Sequence, residues 1–287
     1  MNGAAADSDL LQLDARAEHR YADNNGVRIH YALIGSGPLV VFLHGFPDYW
    51  LTWRHQMAAL SKSFRAAALD MRGYNLSDKP KGVESYKTRQ LVSDVAAVIA
   101  DQGEKRAVIV GHDWGGATAW ALAMHRPELA ERLIVLNMPH PWTLARLLVE
   151  NPEQRANAQY ARNFQNPDYY KQISLERLGG WVSDPAARAK HFEAMQRSDP
   201  QAMMHYYQAN YPHEPYALPQ GAPQLVKVPT LLIHGLGDKA LLSEGLNGVW
   251  NYVESDLTIT TIPGAGHYVQ QDAAELVSRS ILAWLGR

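Results

Sequence analysis

The chain has no cysteine among its 287 residues. That excludes disulfides, thiolate nucleophiles and cysteine-ligated metals, and it fits a reducing compartment. No apolar run approaches the roughly 20 residues of a membrane-spanning helix. The opening MNGAAADSDLLQLDARAEHR also lacks the basic-then-apolar order of a secretory signal. Excess charge is missing too: 27 Lys and Arg stand against 29 Asp and Glu, a formal net charge of −2, so nothing points to nucleic acid or another polyanion. The 12 histidines are scattered, without H-E-x-x-H or comparable metal-ligand spacing. The expectation is a soluble, cytoplasmic protein with no cofactor, metal, membrane or nucleic-acid partner. Monomer and homodimer both stay open.

What is present is ordinary globular composition, 46% hydrophobic and 20% charged, in a chain long enough for a large core with a smaller insertion. The first twenty residues or so read as a polar, mobile leader. VRIHYALIG then alternates like a half-buried antiparallel strand. After it, PLVVFLHG, FRAAALDMRG, RAVIVGHD, RLIVLNMPH, VPTLLIHGLGD and LTITTIPGAGH are short apolar runs, each leading into a polar or Gly-rich end. Between them lie helical patterns such as TRQLVSDVAAVIADQG and GATAWALAMHRPELA. Short buried strands alternating with helices predict an α/β fold, a mostly parallel sheet flanked by helices, with ligands beyond the carboxyl ends of the strands. From 139 to 216 the rhythm changes to Tyr, Arg, Gln, Met and helix formers, without a buried-strand pattern. This is read as a helical cap inserted between core segments 1–138 and 217–287. There are no internal repeats or low-complexity tracts.

Residues 110–116 read VGHDWGG, a G-x-S-x-G nucleophile elbow with Asp113 where serine usually stands. An isolated Asp there is most simply a helix N-cap. Two later strand ends change that reading. Asp238 follows LLIHGLG, and His267 sits in the Gly-rich loop IPGAGH, which completes the chain order nucleophile, acid, histidine. His44 and His112 read as packing and hydrogen-bonding residues, not as acids or bases. HGFP at 44–47 taken alone could be no more than a tight turn.

Together, HGFP at 44–47, DMRGYNLSDKP at 70–80, GHDWGG at 111–116, GLGD at 235–238 and GAGH at 264–267 make the chain resemble the α/β-hydrolase-fold epoxide hydrolases from about Val27 onward. Haloalkane dehalogenases share much of this pattern. The resemblance implies that Asp113 is a carboxylate nucleophile for an epoxide substrate. Serine alkylated at a saturated carbon would end as an inert ether, whereas aspartate gives an ester that water can cleave. It further implies that His267 activates that water while Asp238 orients the ring, and that the backbone N–H groups of Phe46 and Trp114 form an oxyanion hole.

Opening an epoxide leaves a tethered alkoxide that needs a proton donor. By resemblance the donors are two cap tyrosines, assigned to Tyr160 in Y-x-x-x-F-Q and to Tyr207, the second aromatic of the pair before Gln-Ala-Asn. Tyr206 reads as cap packing. With Trp114, these two tyrosines are the expected substrate contacts. Trp181, Tyr206, Met203 and Met204 extend the expectation to a pocket for aryl or bulky alkyl epoxides. The alternative is a haloalkane dehalogenase using the same Asp113, with Trp114 as one halide donor. Its second donor is not identifiable among Trp50, Trp53, Trp142 and Trp181, which read as packing. Fluoroacetate dehalogenases are similar overall but carry arginine where this chain has Trp114 and Ala117, which argues against a small acid substrate. A non-catalytic binding protein on the same fold would be expected to have lost part of the set.

Overall fold

The computed structural model describes residues 12–286. Eight strands form one sheet in the order β1-β2-β4-β3-β5-β6-β7-β8. They are β1 (Glu18–Asn24), β2 (Val27–Ile34), β3 (Leu39–Leu43), β4 (Arg65–Leu69), β5 (Ala107–His112), β6 (Ala130–Leu136), β7 (Thr230–Gly235) and β8 (Leu257–Ile262). β2 runs antiparallel to both β1 and β4, and every pairing from β4 through β3, β5, β6 and β7 to β8 is parallel. β3, β5 and β7 are buried along their whole length, which is why their sequences are continuous apolar runs instead of alternating ones.

All seven strands expected from the sequence form. The eighth, β1, lies in the stretch read as a mobile leader. Residues 1–11 of that stretch fall outside the described residues. From Leu13, however, there is a helical turn at Leu13–Arg16 and then β1. Five of its first residues show the reason it was missed: EHRYA is exposed except at Ala22, so a sheet-edge strand carries no hydrophobic alternation to read.

Two helix pairs flank the sheet: Arg54–Leu60 packs with Ala274–Leu285, and Thr88–Asp101 with Trp114–His125. Between β6 and β7 the segment is helical, and no strand occurs there among the described residues. Three of its helices start where the sequence provides a side-chain cap followed by proline. Asn151 accepts from the N–H groups of Glu153 and Gln154, Asp184 from Ala187, and Asp199 from Gln201 and Ala202, each with Pro at the first helical position. These caps open the helices Pro152–Asn157, Pro185–Arg197 and Pro200–Asn210. No helix among the described residues is long and apolar enough to cross a membrane.

Candidate active site

The elbow is set by close backbone approach. Asp113 links the end of β5 to the helix Trp114–His125 with φ 51° and ψ −121°, a conformation that costs a non-glycine residue strain. Its neighbours must be small. A Cβ on Gly111 would run into the Gly115 carbonyl, and one on Gly115 into the Leu43 carbonyl of β3. The G-x-x-x-G spacing therefore records how tightly the strand, the turn and the next helix are held together.

Asp113 is 5% exposed, and its Oδ1 accepts the Phe46 N–H at 2.7 Å. Its Oδ2 lies 3.6 Å from His267 Nε2. On the other side of the ring, His267 Nδ1 donates to Asp238 Oδ2 at 2.8 Å. The structure therefore brings the three sequence-predicted residues into one line, carboxylate, imidazole, carboxylate. Trp114 opens the helix, so its N–H is among the first-turn amides that no helix carbonyl can accept.

The loops bearing Asp238 and His267 are tied to each other. Gly237 N–H donates to the Ala265 carbonyl at 2.8 Å, and Asp238 Oδ1 accepts from the N–H groups of Ala240 and Leu241 at 2.8 and 3.0 Å. Sequence reasoning missed Asn137, which joins these loops. Its Nδ2 donates to Asp238 Oδ2 at 2.7 Å and to the Gly266 carbonyl at 3.2 Å, and its Oδ1 accepts the Gly235 N–H at 3.2 Å. The available signal was an Asn at the carboxyl end of the buried run RLIVL. Its φ of 45° is one that Asn tolerates better than most residues.

The electrostatics follow from these contacts. Burial by itself would raise Asp113, but the hydrogen bond and charge of His267, with His112 and the Phe46 N–H, hold it below the ordinary carboxylate value. Burial likewise opposes ionisation of Asp238, yet the charge and hydrogen bond of His267 and the Asn137 donor bring it down to about 2. For His267, burial favours the neutral ring, while Asp238 and Asp113 outweigh it and raise the imidazole to about 10.

His44 and His112 use their rings differently. His44 Nδ1 donates to the Gly45 carbonyl and Nε2 accepts the Met71 N–H, while His112 Nε2 donates to the His267 carbonyl. Burial pushes them down to about 4 and about 3, so both are neutral braces for the HGFP loop and the histidine loop.

A cavity of about 480 Å³ opens above Asp113. Trp114, Tyr160 and Tyr207 line it near Asp113, and Ala117, Ala121, Met138, Pro139, Trp142, Leu144 and Leu241 form apolar wall. The Tyr160 and Tyr207 rings meet edge to face, with centroids 6.1 Å apart. Burial holds both phenols well above their ordinary value; for Tyr160 the neighbouring Tyr211 and Asp113 add to this, and for Tyr207 Asp113 adds and a hydrogen bond from the Trp114 side chain partly offsets it. Both hydroxyls therefore keep their protons at neutral pH.

The remaining cap residues expected to extend the pocket do not, and Tyr206 and Trp181 pack as their other reading has it. Trp181, Tyr206, Met203 and Met204 do not line the cavity. Tyr206 is one residue before Tyr207 on the helix Pro200–Asn210, so it points about 100° away; it donates to the Arg72 carbonyl at 2.7 Å. Met203 and Met204 are fully buried in the core, and Trp181 stacks on Tyr268 at 3.6 Å. Trp50 and Trp53 are buried as packing residues, whereas Trp142, expected to be the same, contributes cavity wall. No cluster of three or more His, Cys, Asp or Glu suited to a metal ion occurs among the described residues.

Comparison with known proteins adds a family frame. A family model described as the alpha/beta hydrolase fold matches residues 38–274. Epoxide hydrolase 1 of Caenorhabditis elegans is 32% identical over 290 residues, spanning 94% of this chain and 70% of its own length. Epoxide hydrolase 3 of Xenopus tropicalis is 32% identical, spanning 96% and 80%. Among solved structures, a Bacillus megaterium epoxide hydrolase in complex with an inhibitor superimposes with a TM-score of 0.86 at 32% identity, covering 93% of this chain and all of that one (100%).

Proposed function

The chain belongs to the α/β-hydrolase fold family, and from that premise we propose that it is an epoxide hydrolase, opening an epoxide to a vicinal diol through an alkyl ester on Asp113. The observation that carries this reading is that two complementary chemistries line one cavity: a buried carboxylate backed by His267 and Asp238, and two protonated phenols, Tyr160 and Tyr207.

In the first step Asp113 Oδ2 attacks an epoxide carbon. The ring C–O bond breaks, and the departing alkoxide takes a proton from Tyr160 or Tyr207. The helix N-terminus and the Phe46 N–H keep Asp113 ionised for the attack. Esterification then removes the Asp113 charge that had helped raise His267, so the imidazolium gives up its proton, by way of water, to the tyrosinate left by the first step and becomes a base when the second step needs one. His267 Nε2 takes a proton from water, whose oxygen adds to the ester carbonyl. The resulting oxyanion develops on Oδ1, where the N–H groups of Phe46 and Trp114 can receive it. Collapse expels the diol oxygen, which takes the proton from His267; the carboxyl left on Asp113 then ionises by giving its proton back to His267, while Asp238 holds the ring in register.

The helical segment 139–216 acts in this reading as a cap that supplies the phenols and excludes bulk water. The partner is a small-molecule epoxide, with water as co-substrate and no cofactor. A cytoplasmic setting belongs to this reading, and the lack of cysteine is compatible with it. Incubation with aryl and alkyl epoxides beside matched haloalkanes tests the reading. Diol without halide is expected; halide without diol would replace it with the dehalogenase alternative.

A further inference from the structure

The cavity has a direction as well as a reacting end. The helix that begins after Asp113 is also its wall: Trp114, Ala117, Ala121 and His125 all face the same space. Their spacing of three to four residues places them on one helix face. At 1.5 Å per residue, Ala117 lies about 6 Å beyond Asp113, Ala121 about 12 Å and His125 about 18 Å. Both intermediate positions are alanine, so the wall is recessed where the body of a substrate would lie. Exposed polar side chains return farther along, where His125 and Gln224 line the cavity.

We propose that this cavity is a length-selective channel for epoxides bearing an extended apolar substituent, with Ala117 and Ala121 as the specificity-determining residues at two successive depths. The substituent runs from the reacting ring along the helix Trp114–His125, and its end meets water between His125 and Gln224. Each added methylene leaves water for apolar wall until the channel ends. The inference rests on epoxide opening at Asp113, and its test separates the two.

The test is diol formation from terminal epoxyalkanes, epoxybutane through epoxytetradecane, by the unmodified enzyme and by Ala117→Leu and Ala121→Leu. Unmodified enzyme should show kcat/KM rising with chain length. Ala121→Leu should lower the ratio of long-chain to short-chain kcat/KM by about 10- to 200-fold, the range expected when a pocket gains or loses a small apolar group. Ala117→Leu should impose the break on shorter members. Ala121→Val, with less added bulk, should give an intermediate ratio and keeps the test open if a leucine variant does not fold. Diol from every member with no length trend, or the same break in both variants, would overturn the channel while leaving the functional reading intact. No diol from any member would overturn the functional reading and the channel with it.

Discussion

At the scale of single residues, some cap side chains have spare chemistry and others are spent in packing. Tyr207 lines the cavity beside Asp113, whereas Tyr206 gives its hydroxyl to the Arg72 carbonyl. Replacing both Tyr160 and Tyr207 with Phe should therefore slow epoxide opening by about 10²- to 10⁴-fold, the usual worth of a general acid, measured as single-turnover ester formation. Tyr206→Phe should leave that rate within a few-fold and act on stability instead. Asn137 makes a different prediction. Asn137→Ala removes a donor from the ionised Asp238, a bond of the charged type worth about 1.5–3 kcal/mol. Thermal unfolding should show that loss, and kcat should fall through poorer His267 alignment while KM changes little. Asn137 was visible in the sequence only as a polar residue ending a buried strand. Its bonds to Asp238, Gly235 and Gly266 join loops about a hundred residues apart, which no local pattern encodes.

At the scale of elements, strands legible in the sequence are those with a buried face. β3, β5 and β7 announce themselves as apolar runs because helices cover both faces of the sheet there. β1 pairs with β2 along its whole length yet carries the exposed pattern of an edge, and edge strands are specified by a partner more than by their own side chains. The elbow was the most legible element, since its glycines answer to backbone contact and not to composition. Gly115→Ala would press a methyl group against the Leu43 backbone. A backbone carbonyl yields less than a side chain, so the cost should reach or exceed the roughly 1–3 kcal/mol typical of overpacking. In a domain of this size each kcal/mol lowers Tm by about 2–4 °C. An unchanged Tm would mean that the strand, turn and helix are less tightly joined than described.

For the whole molecule, buried histidines set the pH dependence of stability. His267 is raised to about 10 from 6.5, so its stabilisation is complete below pH 6.5 and is lost as pH rises toward 10. His44, His112 and His140 are lowered to about 4, 3 and 3 by burial, so their contribution is complete above pH 6.5 and is lost as pH falls toward those values. Asp48, raised to about 7 by burial, and Asp94, also raised by burial, oppose the acid limb, whereas His191, His205 and His234, lowered by burial, and Asp238, lowered to about 2, add to it. Tm should therefore peak near pH 6.5, and His267→Gln should flatten the alkaline limb. A peak displaced by two or more pH units would contradict this balance. The cavity itself was only partly legible. Motifs pointed to Asp113, Tyr160 and Tyr207, which line it, whereas Ala117 and Ala121, proposed to set its usable length, are in the sequence indistinguishable from ordinary helix-forming alanines.

A covalent ester on Asp113 is read out by the intact and peptide mass of His267→Gln after mixing with an epoxide. With its second-step base removed, this variant should gain the mass of one epoxide, located on the peptide containing Asp113, while diol release is nearly abolished. Failure to accumulate any adduct, or an adduct on a residue other than Asp113, would contradict the mechanism.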